Sequence, residues 1–271
     1  MPRNGHDRPR PPQRPAAVFA LDFARGATTG RHSHPFGQLV HAASGVLRVV
    51  AARGAWIIPP GRAVWIPADV EHEVEMVTAV QMRTLYVVPA ALPHAPASPQ
   101  VLAVSPLLRE LLLEALRRPR PYPLGGADER LFQVLLDAIE FRPIVPLHLP
   151  LPSSAAARAV AGMLEREPSD RRTLAALTRG LAVSAKTVAR AFVRETKLPF
   201  SAWRTQLRLG RAIAQLALGR SVASVAAASG YESASAFIAT FRRHLGKTPA
   251  RWFAEPPAPA VSRPTPAQRR R

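Results

Sequence analysis

His32 and His34 stand one residue apart in a stretch, GATTGRHSHPFGQLVHAASG over residues 26–45, that lies among short β-leaning runs. On a strand, side chains two positions apart share a face, so the two imidazoles point the same way. A third histidine from a neighbouring strand would complete a three-nitrogen set suited to a divalent transition metal. Gln38 would add a neutral amide oxygen, a weaker donor than a carboxylate, and would leave such a site more positive. The same side chains could instead line or cap a small-molecule pocket without metal, with Trp56, Trp65, Arg83 or Tyr86 nearby. A second chemistry lies further on, where Lys186 and Arg190 are four residues apart and share one helical face. An arginine so presented can make paired hydrogen bonds to a guanine edge. A solvated helix face or a phosphate contact would need the same residues.

The elements that must hold Lys186 and Arg190 occur twice. Residues 174–203 read LAALTRGLAVSAKTVARAFVRETKLPFSAW, and residues 222–252 read VASVAAASGYESASAFIATFRRHLGKTPARW. Leu174 and Leu177 fall on Val222 and Val225. After one extra residue in the second turn, Val188, Phe192, Arg194 and Trp203 fall on Phe237, Phe241, Arg243 and Trp252. Each half predicts a helix-turn-helix, in which a brace helix supports one that enters the major groove. The matched aromatic residues are expected in the core. Gly230 supplies a positive φ in the second turn, whereas Ala182 stands at that position in the first and would be strained there.

The charge agrees with the repeat. The chain of 271 residues has a formal net charge of +19, and residues 153–253 hold 17 Lys or Arg against 5 Asp or Glu, whereas residues 16–152 hold 12 against 11. A localised positive field attracts polyanions by releasing their counterions. The absence of cysteine excludes a disulfide scaffold and thiolate metal sites. No apolar run approaches the roughly 18 residues that cross a bilayer, and the N-terminus lacks the apolar centre of a secretory signal, so the expected location is cytoplasmic, with no membrane partner.

Composition divides the chain into a basic arm (1–15) expected to be disordered, a β-rich domain (16–90), a linker with two amphipathic helices (91–152), an all-helical domain (153–253) and a disordered Pro/Arg-rich tail (254–271). The expected fold class is a multi-domain α+β chain: a small antiparallel barrel, two helices and an all-α end. Ser105-Pro106 predicts a helix start. A second helix is expected near Asp128 to Phe141, and the apolar faces of both must bury on the barrel or on a second copy. RPIVPLHLPLPSS reads as a further linker.

The segment GYESASAFIATFRRHLGKTPARW resembles, almost residue by residue, the most recognisable stretch of the AraC/XylS family of bacterial transcription regulators, and RLGRAIAQLALGRSVASVA resembles its connecting helix. The resemblance implies two recognition helices in successive major grooves. Carried onto this chain, it implies that the first presents Ala185, Lys186, Thr187, Ala189 and Arg190. The second would present Ser233, Ala234, Ser235, Ala236 and Ala239, with Arg242 and Arg243 holding phosphates. Gly26, His32, His34, Gln38 and Gly45 resemble the first motif of the cupin barrel, and Gly61, Pro67 and His72 approach the second. Gln38 replaces the motif glutamate, and Asp69 and Met76 replace its glycine and asparagine. This implies a cupin-like sensor with His32, His34, Gln38, Trp65 and His72 as effector-binding residues. His32, His34 and His72 are its candidate ligands for a divalent transition metal, and no cofactor is otherwise required.

The reading is a sequence-specific regulator of transcription, not an enzyme, that binds double-stranded DNA and a small-molecule effector. A homodimer, and RNA polymerase for an activator, are the further partners expected. A cupin metalloenzyme with an appended DNA-binding domain is the alternative, against which the loss of the motif glutamate counts. A nucleoid-type binder would fit the charge but not the sensor-like barrel.

Overall fold

The computed structural model describes residues 12–51, 54–142 and 148–254; most of the basic arm and all but the first residue of the Pro/Arg-rich tail, both expected to be disordered, lie outside the described residues. Among the described residues, short apolar runs cut by Gly and Pro form nine strands: β1 (Ala16–Phe23), β2 (Gly37–Ser44), β3 (Leu47–Ala51), β4 (Gly54–Ile58), β5 (Arg62–Ile66), β6 (His72–Met76), β7 (Val80–Val87), β8 (Gln100–Ala103) and β9 (His148–Leu149). They make a five-stranded sheet in the order β1-β7-β2-β5-β8 and a four-stranded sheet in the order β6-β3-β4-β9. Every pairing is antiparallel. Side chains alternate between two cores. Val40, Val49, Ile58, Val64, Val74 and Met82 join one cluster, and Val18, Leu39, Ala63, Trp65 and Leu85 join another on the opposite face of the first sheet.

The barrel runs past the boundary expected at residue 90. After the Pro-rich turn, β8 pairs with β5, and β9 pairs with β4 inside the second expected linker. Both are short and flanked by proline, so neither shows the alternation that marks a strand in sequence. The end of the expected arm is also engaged, since Arg14 Nε donates to the Tyr122 carbonyl at 2.8 Å.

Two helices cover the outer face of the five-stranded sheet. In α1 (Pro106–Ala115), Ser105 accepts the Leu108 amide as N-cap and Pro106 takes the first turn, as the sequence predicts. The second, α2 (Ala127–Asp137), stops before the expected Phe141, whose ring still meets Trp65 edge-on at 5.4 Å. Leu108, Leu112, Phe132 and Leu135 are fully buried with Leu39, Trp65 and Leu85. Each such side chain contributes about 1.5–3 kcal/mol. Of the two ways to bury these faces, the chain uses its own barrel.

The C-terminal end is helical: α3 (Ala155–Arg166), α4 (Leu174–Leu177), α5 (Ala185–Thr196), α6 (Phe200–Ala217), α7 (Val222–Ala228), α8 (Ala234–Leu245) and α9 (Pro249–Ala254). The first helical pair has its own core of Leu164, Leu177, Val188, Phe192 and Trp203. The second pair does not. Phe237, Phe241, Trp252, Leu209 and Ile213 belong to one apolar cluster with the barrel interior.

Candidate nucleic-acid interface and sensor site

Serine and threonine caps set both helix pairs. Thr173 accepts the Ala176 amide to start α4, and Ser184 accepts the Thr187 amide at 3.1 Å to start α5. On α5, Val188, Ala191 and Phe192 are buried, whereas Lys186, Thr187 and Arg190 face solvent. The turn departs from the expectation for Ala182. α4 is a single turn, and the left-handed residue is Gly180 at φ +85°, two positions earlier, so Ala182 carries no strain of that kind. The helix ends on Lys197 at φ +61°, as α8 ends on Gly246 at φ +78°.

Glu195 ties α5 to α3, accepting the Ser153 and Ser154 amides at 2.9 and 3.0 Å and the Ser154 hydroxyl at 3.2 Å. Those backbone donors, with the hydroxyl and Arg194, hold its carboxyl at about 2, well below the usual carboxylate range. Because the folded value is depressed, this clamp stabilises fully above about pH 4.5 and is lost as pH falls toward 2. A side-chain carboxyl NMR titration is expected to show Glu195 titrating near pH 2; a midpoint above 4 would remove the clamp from the account.

The second pair repeats the capping. Ser221 and Ser233 accept the Ser224 and Ala236 amides at 3.3 and 3.1 Å. The Ser233 oxygen is therefore engaged in starting α8. Ser235, Ala236, Ala239, Arg242 and Arg243 are exposed, Ala234 is half-buried, and Phe237 and Phe241 fill the core. Gly230 sits at φ +74°, and a Cβ there would lie 2.7 Å from the Ser169 carbonyl oxygen. Arg208 holds that neighbouring loop, donating from Nε to the Pro168 carbonyl and from Nη2 to the Asp170 carbonyl.

At one end of the barrel, His32, His34 and His72 converge, their candidate ligand nitrogens all within 4.8 Å of one another. His32 and His72 meet through an isolated antiparallel bridge. Each Nδ1 contacts a carbonyl two residues away: Gly30 at 2.9 Å, Phe36 at 2.7 Å and Val70 at 2.8 Å. Gln38 lies between them, its Oε1 3.1 Å from His34 Nε2 and 3.2 Å from His72 Nε2. Burial first, then the other imidazoles, lowers His72 to about 4, and burial lowers His34. Asp69, where the motif has glycine, holds φ +61° and donates its amide to the His34 carbonyl.

Trp65 does not join this cluster. It faces the outside of the sheet, under α2, with Nε1 donating to the Pro96 carbonyl at 3.1 Å. Odd positions of β5 face out, so strand parity decides against it. Arg83 also points away and pairs with Asp22. Trp56 stacks on His148, ring centres 4.7 Å apart. Tyr86 does line the cluster, together with Thr84, which had not been singled out. Cross-strand register could have found both, since Gln38 pairs with Tyr86 and Val40 with Thr84.

A contact between the two ends of the chain also escaped the sequence. Arg48 on β3 pairs with Glu75 and with Glu165 on α3, at 2.9 and 3.5 Å. Gly210 of α6 lies against Ile57, and the Arg62 guanidinium sits 5.2 Å above the Trp252 ring.

The family model for an AraC-like ligand binding domain matches residues 18–140, and that for a helix-turn-helix domain matches residues 177–255. The chain is 33% identical over 243 residues to the HTH-type transcriptional regulator NimR of Escherichia coli (strain K12), covering 89% of each chain. It is 39% identical over 100 residues to the HTH-type transcriptional regulator RipA of Corynebacterium glutamicum, covering 37% of this chain and 30% of that one. Among the described residues, no helix is long and apolar enough to cross a membrane. A cupin-like sensor followed by two capped, basic helix-turn-helix units, with this match along nearly the whole of a known regulator, places the chain in the AraC-type family of DNA-binding transcription regulators.

Proposed function

We propose that the chain reads a specific operator through α5 and α8, and that a small molecule in the barrel controls how the two helices meet the duplex. The observation that carries this is the solvent-facing set Lys186, Thr187 and Arg190 on one recognition helix, matched by Ser235, Arg242 and Arg243 on the other. Ala185 and Ala234 flank these sets, and Ser233 caps the second helix. Arg190 reads a guanine edge; Lys186, Arg242 and Arg243 hold phosphates. Exposed Ala236 and Ala239 leave α8 to read by Ser235, by methyl contacts to thymine and by DNA shape.

Effector binding is assigned to His32, His34, Gln38 and His72. Groove reading itself needs no cofactor and no catalysis, and the chain acts in the cytoplasm, as a homodimer that engages RNA polymerase where it activates. The neutral Gln38 in place of a carboxylate favours sensing over metalloenzyme chemistry. Footprinting on the DNA flanking its own gene, with and without candidate metabolites, tests the reading. Arg190→Ala is expected to weaken specific binding by about 1–3 kcal/mol and to relax preference at one base pair. Equal loss on operator and random DNA would make Arg190 a backbone contact.

A further inference from the structure

The two reading heads share the rod α6 but no apolar interior: Trp203 and Leu207 belong to the first unit's core, Leu209 and Ile213 to the second's. Arg208 stands at the join between them. Its side chain reaches the loop 167–173 that leads into α4, donating from Nε to the Pro168 carbonyl at 2.9 Å and from Nη2 to the Asp170 carbonyl at 2.8 Å. Arg204, one turn earlier on the same face of the rod, donates to the Arg172 carbonyl at 2.8 Å. Three alternate carbonyls of one loop are thus held from one side of α6. Among the described residues, the hydrogen bonds that tie this loop to distant parts of the chain come from these two arginines. The Arg208 guanidinium also borders the turn of the second unit. It lies 6.0 Å from the centre of the Tyr231 ring, and a Cβ on Gly230 would stand 2.8 Å from Nη2. A planar fork holds two carbonyls from one edge in a fixed geometry, whereas a lysine ammonium is a point charge on a flexible stem.

Resting on the reading that α5 and α8 together meet the operator, we infer that Arg208 is the positioning residue that sets the resting pitch between the two recognition helices. It clasps the entry of the first unit to the turn of the second, so α6 cannot twist between them without breaking two charge-assisted hydrogen bonds. Arg208 then governs specificity without touching a base, through the half-site spacing that the two heads accept. One base pair inserted between half-sites turns the second by roughly 35° about the duplex axis. A clasped pair of heads cannot follow that turn, and an unclasped pair follows it in part.

The test uses the full chain, which has no native cysteine, with Val193→Cys and His244→Cys carrying spin labels at exposed positions on α5 and α8. Pulsed electron-spin distance measurement is expected to give one narrow distribution, widened by Arg208→Gln and less by Arg208→Lys, with the helical circular dichroism unchanged. Tyr231→Phe keeps the ring beside Arg208 and loses a hydroxyl that has no hydrogen-bond partner, so it is expected to match the wild type. Duplexes selected by the unlabelled full chain from a random pool supply the second arm. With one base pair inserted between their half-sites, the wild type is expected to bind them about tenfold more weakly, a loss that Arg208→Gln cuts to about twofold. Should Arg208→Gln fail to fold, Arg208→Lys carries both comparisons. An unchanged distance distribution, or an unchanged spacing preference, in the folded variant overturns the clasp. A chain that selects its duplex but keeps that preference without Arg208 loses only the clasp. One that selects no sequence, yet widens its distribution in Arg208→Gln, keeps the clasp and loses the regulator reading.

Discussion

Trp203→Ala is expected to lower the stability of the first helix-turn-helix by about 3–5 kcal/mol, the usual cost of truncating a fully buried tryptophan. The indole is wholly inaccessible, lies 5.2 Å from the Phe192 ring centre and donates from Nε1 to the Pro150 carbonyl at 2.7 Å. Truncation leaves a cavity between α5 and α6 and strips that carbonyl of its partner. Trp203→Phe keeps much of the volume and loses the hydrogen bond, so it should cost less, about 1–3 kcal/mol. Urea unfolding followed by far-ultraviolet circular dichroism would rank the variants. Equal midpoints for all three chains would show that the first unit is not held by this ring.

The second large effect belongs to Gly230. Gly230→Ala is expected to cost about 2–4 kcal/mol and to remove operator binding, because two penalties coincide. A residue with a Cβ pays about 1 kcal/mol to hold the left-handed conformation. The new methyl would also sit 2.7 Å from the Ser169 carbonyl oxygen and 3.0 Å from its Cα, and overpacking against backbone costs about 1–3 kcal/mol. Gly246→Ala is the control. It shares the left-handed backbone, at φ +78°, but nothing lies within 4 Å of the added methyl, so only the smaller penalty applies. Thermal unfolding with operator titration separates the two; indistinguishable variants would dismiss the contact with Ser169.

Periodicity made the helical end legible. Paired apolar positions and Gly230 in the second turn acted locally, within a dozen residues; the caps Thr173, Ser184, Ser221 and Ser233 were equally local signals that the sequence reading did not use. The first turn misled because its glycine, Gly180, lies two places away from the one in the repeat. Local rules also found the three histidines and Gln38, since motif spacing survives in sequence. What they could not supply was the face on which Trp65 lies, because that depends on strand parity and on which layer α2 covers. The short β8 and β9 were illegible for a related reason: each exists through its partner strand rather than through its own pattern.

The shared apolar cluster has a mechanical consequence. The downstream reading head is welded to the sensor through Leu209, Ile213, Phe237 and Trp252, whereas the upstream head keeps a private interior around Phe192 and Trp203. A tilt of the barrel therefore drags one head along directly and reaches the other through the α6 rod and the Arg48–Glu165 tether. Under the proposed function, an effector that tilted the barrel would change the pitch between the two heads, and the spacing of the operator's half-sites would be the quantity under control.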